Sequence, residues 1–207
     1  MDLGTKKISL LLFVVVALWS CNSGGGGGSA PVLDASGYMV EDIPGLSAQR
    51  AFKTDAAGNM FEEGLLINGV QTGTWITYHP DTQFPATVAS FEGGMYNGPY
   101  MEFNQRGQLS LRATYQNNLL HGYWGKYSFG RPEIEANYKN GELHGMYRAF
   151  MKNTGKLQSE AEYKNGVQDG PYRTFNEAGE VTLEYIFKNG EKVSGGIVNP
   201  EKPNVPK

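Results

Sequence analysis

The chain of 207 residues carries one cysteine and three histidines. A single thiol, Cys21, excludes an internal disulfide. Of the histidines, His121 and His144 fall at equivalent places in neighbouring repeats. That puts them two strands apart, roughly 9.5 Å, whereas a shared metal ion needs each nitrogen at about 2 Å. They read as polar positions of the repeat, and no metal or other cofactor is expected. No Ser–His–Asp arrangement is evident, and no glycine-rich turn precedes a helical pattern; no long amphipathic helix is present. Lys and Arg total 18 against 21 Asp and Glu, with no basic stripe. Nucleic acid is therefore excluded as a partner, as is charge-driven binding to acidic lipid headgroups. Carboxylates are plentiful, and the pairs Glu160/Glu162 and Glu133/Glu135 have glycosidase-like proximity. They recur with the repeat, however, as a solvated face does, so a non-enzymatic protein is the expectation.

The longest apolar run, Ile8 to Trp19, has twelve residues. It is too short to span a bilayer and, behind Lys6 and Lys7, suits a secretory leader over residues 1–20. It ends in Leu18-Trp19-Ser20-Cys21, which resembles a bacterial lipobox; the resemblance implies lipid attachment at Cys21 and a membrane-anchored protein of the cell envelope. Stable anchoring requires more than one acyl chain. Loss of the leader removes Lys6, Lys7 and Asp2, taking the net charge from −3 to −4. Residues 21–37 read as a tether, with five consecutive glycines from Gly24 to Gly28. About 16 residues of such chain reach roughly 20–25 Å. Residues 197–207, with three prolines, read as a loose tail.

What the chain has in abundance is a repeat. Gly73-Trp75-Tyr78, Gly98-Tyr100-Phe103, Gly122-Trp124-Tyr127, Gly145-Tyr147-Phe150 and Gly170-Tyr172-Phe175 share one pattern, their glycines 25, 24, 23 and 25 residues apart. Periods of this length mark repeat arrays, which work as surfaces. Two turn types alternate. Asn68-Gly69, Asn140-Gly141, Asn165-Gly166 and Asn189-Gly190, with Gly93-Gly94 and Asn117-Asn118 as variants, suit type I′ hairpins, which need positive φ at both central residues. Longer turns close on Gly58, Gly107, Gly155 and Gly179. Two turns per repeat give two strands per repeat. The fold class is all-β: an elongated antiparallel meander of tandem hairpins, with about eleven or twelve strands. Residues 67–196 form the array, and residues 38–66 a cap with a degenerate leading repeat.

Counting outward from the two-residue turns sets Ala89 opposite Gly98, Ala113 opposite Gly122, Ala136 opposite Gly145 and Ala161 opposite Gly170. Gly64 falls opposite Gly73. This reading makes the glycine a shallow floor shielded by rings on the same face. The other face carries Glu135, Asn137, His144, Arg148, Glu160, Glu162, Asp169 and Arg173 and is wet. Cover for the apolar face is expected from 32–50, through Tyr38, Met39, Val40, Ile43 and Leu46.

The stretches Asn140-Gly141-Glu142-Leu143-His144-Gly145-Met146-Tyr147 and Asn165-Gly166-Val167-Gln168-Asp169-Gly170-Pro171-Tyr172 resemble the variant MORN repeat. That repeat is a β-hairpin unit with a Gly-x-(Trp/Tyr)-x-x-(Tyr/Phe) signature, and bacterial chains of this kind are grouped as YwqK-type antitoxins. The resemblance implies an interaction module, antitoxin-like or scaffold-like, whose partner is an unspecified protein. The candidate contact surface is the row Trp75, Tyr100, Trp124, Tyr147 and Tyr172, since Trp and Tyr suit protein partners. A purely structural core is the competing role for the same row. A cell-envelope glycan, read by those rings, is the alternative partner.

Overall fold

The computed structural model describes residues 32–198. The leader, Cys21, the polyglycine tract and residues 199–207 lie outside the described residues. The strands are β1 (Met39–Asp42), β2 (Ala48–Thr54), β3 (Met60–Ile67), β4 (Val70–Tyr78), β5 (Pro85–Glu92), β6 (Met95–Phe103) and β7 (Leu109–Gln116). They continue as β8 (Leu119–Ser128), β9 (Arg131–Lys139), β10 (Glu142–Phe150), β11 (Leu157–Lys164), β12 (Val167–Phe175), β13 (Val181–Lys188) and β14 (Glu191–Ile197). All 14 lie side by side in sequence order in one sheet, and β1 and β14 are its two edges. Every pairing is antiparallel. The meander is therefore as expected, with more strands than the turn count gave.

The turn chemistry accounts for the short hairpins. Asn68, Asn140, Asn165 and Asn189 have φ between 51° and 53°, and their following glycines between 76° and 85°. Gly93-Gly94 and Asn117-Asn118 also have positive φ at both positions. These dihedrals match a turn whose twist agrees with that of the flanking strands. Three of the longer turns are closed by a side chain at their first residue. Asn104 Oδ1 accepts from the backbone N–H of Arg106 and Gln108, and Asn176 Oδ1 accepts from those of Ala178 and Glu180. Asp55 does the same for Ala57 and Asn59.

The register departs from the outward count within each short hairpin. Near the turn the count holds: Gln116 pairs with Leu119, and Tyr115 with Leu120. Beyond it, Ala113 pairs with Trp124 and Leu111 with Lys126. Three residues of β8, His121 to Tyr123, lie across from the single residue Thr114. The same two-residue excess sets Ala89 against Tyr100, Ala136 against Tyr147 and Ala161 against Tyr172. The expected Ala–Gly pairs, and Gly64 with Gly73, are thus corrected by two places. The repeat glycine lies in the bulge, at φ from 63° to 133° in its five copies, a region where glycine is favoured over every L side chain. Its partner across the following junction is the ring before the next turn: Gly73 with Phe91, Gly98 with Tyr115, Gly122 with Tyr138, Gly145 with Tyr163 and Gly170 with Phe187.

The bulge also has a bonding role. The looped-out stretch leaves a carbonyl free to accept from the next short turn. Gly141 N–H donates to Leu120 O at 2.8 Å, Gly166 N–H to Leu143 O at 2.8 Å and Gly190 N–H to Gln168 O at 2.8 Å. Gly94 to Gln71 and Asn118 to Tyr96 complete the series at 3.0 and 2.9 Å. Five short turns are thereby stitched to the hairpin before them, and backbone groups at the sheet margin are satisfied.

The core is narrow. Among the described residues its cluster is Ala51, Leu66 and Trp75, with Leu33, Tyr38 and Phe91 packed against it. The other buried apolar residues among those described are Ala89, Ala113, Ala136 and Ala161. The expected cover from 32–50 is corrected accordingly. Tyr38 and Leu33 do pack on the cluster, but Met39, Val40 and Leu46 are 45%, 40% and 66% exposed. Met39 and Val40 belong to the edge strand β1, which extends the sheet and cannot also fold over it.

Candidate interaction surface

One transverse row organises the apolar face. Following partners from strand to strand gives Trp75–Ala89–Tyr100–Ala113–Trp124–Ala136–Tyr147–Ala161–Tyr172. Large and small alternate without interruption, so each alanine is shielded by a ring on both sides. The five candidate aromatics therefore share one row, as the sequence indicated. They do not stack on one another, because an alanine strand separates each pair. At Trp75 the small neighbour on β3 is Gly64, where an added Cβ would lie 2.1 Å from the indole. Such an approach is closed to any side chain.

The row is not uniformly buried. Trp75 is 2% exposed, and its Nε1–H donates to Leu65 O at 3.1 Å. Tyr100, Trp124, Tyr147 and Tyr172 are half-buried. The rings beside them form edge-on and tilted pairs that continue from Tyr38–Trp75 (6.0 Å between centroids) through Trp75–Phe91 (6.3 Å) and Phe91–Tyr96 (4.5 Å) to Tyr96–Tyr115 (5.4 Å). Tyr100 joins Tyr96 and Tyr115 at 5.7 and 5.6 Å, and Tyr147 meets Tyr163 at 6.2 Å. Burial pushes the hydroxyls of Tyr96, Tyr100, Tyr115, Tyr138, Tyr147 and Tyr163 above the usual tyrosine range. At Tyr100 the Glu102 carboxylate, which accepts from Oη at 2.9 Å, adds to that shift.

The opposite face changes character along the sheet. Its central row runs Glu63–Ile76–Val88–Met101–Arg112–Gly125–Glu135–Arg148–Glu160–Arg173–Glu184. From Glu135 onward, acid and base alternate. Arg173 bonds both Glu160 (3.2 Å) and Glu184 (2.5 Å), and Arg148 lies 3.7 Å from Glu160. Glu160 is thus held between two guanidinium groups. Glu133 is 3.7 Å from Lys126 and 4.0 Å from Lys152. Tyr123 Oη donates to Glu135 at 3.2 Å, and its ring lies over the bare backbone of Gly125. Toward the other end, Glu63 accepts from Tyr78 Oη (2.6 Å) and Arg50 (2.7 Å), which together hold its carboxyl below the usual range.

His121 and His144 serve the turns. His121 Nδ1 is 3.3 Å from Asn140 Oδ1, and His144 Nδ1 accepts from Asn165 N–H at 3.4 Å. Among the described residues no cluster of three His, Cys, Asp or Glu is placed to hold a metal ion. The chain matches no protein-family model and no curated protein.

A feature that the repeat pattern did not announce is Phe129. It occupies the first corner of a two-residue turn, Phe129-Gly130, at φ 50°, and is 76% exposed. The available signal was Gly130, a lone glycine where the neighbouring units have longer turns, over 104–108 and 151–156.

Proposed function

We propose that the protein is a non-enzymatic, lipid-anchored repeat protein that presents its sheet to another protein at the bacterial cell envelope, in an antitoxin-like or scaffold role. The observation that carries this reading is the half-buried row Tyr100, Trp124, Tyr147 and Tyr172, which continues beyond the cover given by Tyr38 and Leu33. Such rings bring large contact area at low entropic cost and have polar ends that remain satisfied in water. The linear arrangement favours a partner lying along the sheet over a small molecule in a cavity. Cys21 is the lipid attachment point in this reading, and the glycine tract gives the sheet its reach from the membrane.

The test is a pull-down from detergent-solubilised envelopes with wild type, Cys21→Ala and the double variant Trp124→Ala/Tyr147→Ala. Wild type retains a partner and fractionates with membranes. Cys21→Ala is released from the membrane, and the double variant, still folded, loses the partner. Full membrane retention of Cys21→Ala rejects the anchor, and unchanged capture by the double variant rejects the row. A cell-envelope glycan is the second reading. It is favoured by the recurrence of rings every second strand, roughly 9.6 Å. Quenching of Trp124 fluorescence by envelope polysaccharide separates it from the first.

A further inference from the structure

The margin of the sheet that holds the longer turns has a second surface, distinct from the aromatic row and independent of the reading above. Among the described residues, eight other than glycine have positive φ, and six of them are asparagine. Phe129 is one of the two exceptions. A bulky residue is disfavoured there by contact between Cβ and backbone. Folding gains little in return, since the ring is 76% exposed. Costs of this kind gather at functional positions.

The surroundings of Phe129 indicate what it meets. Because this turn has two residues where its neighbours have longer ones, a shallow cleft lies on each side of the ring. One is lined by His79, Arg106 and Phe129, the other by Phe129, Arg131, Glu133, Met151 and Lys152. Aromatic, methionine and arginine side chains are the types enriched at the centre of protein interfaces. Three cations, Arg106, Arg131 and Lys152, stand against one carboxylate, Glu133, which is 4.0 Å from Lys152. This local excess of positive charge occurs in a chain whose net charge is −3. Opposite potentials steer partners together and set their register.

We infer that Phe129 and its two clefts form a docking site for an acidic peptide segment of a partner protein, with a large apolar side chain of that segment seated beside the ring. Phe129 is the anchor, and Arg106 and Arg131 receive the carboxylates from either side.

The decisive experiment pans a random peptide library displayed on phage against the full protein, then measures binding of the selected peptides by fluorescence anisotropy. The selected sequences carry Asp or Glu around a large apolar residue, and binding weakens as salt rises. Phe129→Asn places a residue suited to this φ and raises the unfolding midpoint by about 2–4 °C. It nevertheless weakens peptide binding by about tenfold or more. Arg106→Glu with Arg131→Glu abolishes binding, while Trp124→Ala/Tyr147→Ala retains it. Because Phe129→Asn stabilises the fold, its loss of binding cannot be ascribed to unfolding. The inference is overturned if no acidic consensus emerges or if Phe129→Asn binds as wild type does. Preferential binding of phosphatidylglycerol vesicles over the peptides also overturns it.

Discussion

Trp75 and Tyr172 fill the same slot of the same repeat near opposite ends of one sheet, yet their surroundings differ. Trp75 lies between Gly64 and Ala89, under Tyr38, Leu33 and Phe91, and is 2% exposed. Tyr172 lies between Ala161 and Tyr185 and is half-buried. Small and large cease to alternate at that junction, because Tyr185 stands where other repeats have alanine and pairs onward with Gly195. The repeat therefore supplies a notch, and the chain before the first hairpin supplies the lid. Where that lid ends, the interior is one methyl deep: Ala89, Ala113, Ala136 and Ala161. Cohesion there comes from the backbone ladder, the stitched turns and the rings leaning over alanine.

The widest separation between the two ends is expected on removing the rings. Trp75→Ala destabilises by about 3–5 kcal/mol in urea titration, the range for emptying an enclosed aromatic site. Tyr172→Ala costs about 1 kcal/mol, because part of its surface already faces water and no chain segment covers it. Equal losses would show that the lid contributes nothing.

Filling the small slot gives the next effect. Gly64→Ala drives a methyl into the indole of Trp75, and overpacking costs about 1–3 kcal/mol. Ala161→Leu, at the open end, costs about 1 kcal/mol or less, since Tyr147 and Tyr172 can lean outward.

Alkali acts on the tyrosines of both faces. Tyr96, Tyr100, Tyr115, Tyr138, Tyr147 and Tyr163 have pKa values raised by burial, and Tyr78 is pushed up to about 12 by burial and its bond to Glu63. A raised pKa in the folded state means that the stability it confers is complete below the unfolded value. That stability is lost as pH rises through the folded one. Unfolding free energy should therefore be level up to about pH 10 and fall above it. The appearance of tyrosinate absorbance should coincide with loss of the β-sheet circular dichroism signal.

The smallest effect belongs to the charged face. Arg173→Ala removes two ion-pair contacts but costs about 1 kcal/mol or less, and less still at high salt, because Arg173 and Glu184 face solvent and Arg148 still lies 3.7 Å from the more covered Glu160. A larger loss would mean that the acid–base ladder carries a share of the fold that its exposure does not predict.

Much of this fold was legible because its turns have strict demands. Asn-Gly at hairpin corners announces positive φ twice over, and the alternation of alanine and rings announces one apolar face. The register was not legible, because a two-residue turn fixes pairing only as far as the first bulge. The repeat glycine was the sign of that bulge, and a bare mid-strand glycine is equally consistent with a cross-strand floor. The strand count ran short at the leading edge, where β1 carries no buried side chain. The candidate row was recovered as a row, but its division into one enclosed ring and four half-open ones depends on Tyr38 and Leu33, which lie outside the repeat. Phe129 escaped notice because phenylalanine does not advertise positive φ.

The pairing across β7 and β8 tests the central claim most directly, by solution NMR of cross-strand contacts. Ala113 is predicted to face Trp124, and Leu111 to face Lys126, with Gly122 looped out at positive φ. Contacts placing Ala113 against Gly122 and Leu111 against Trp124 would contradict the alternating row and the stitched turns that depend on it.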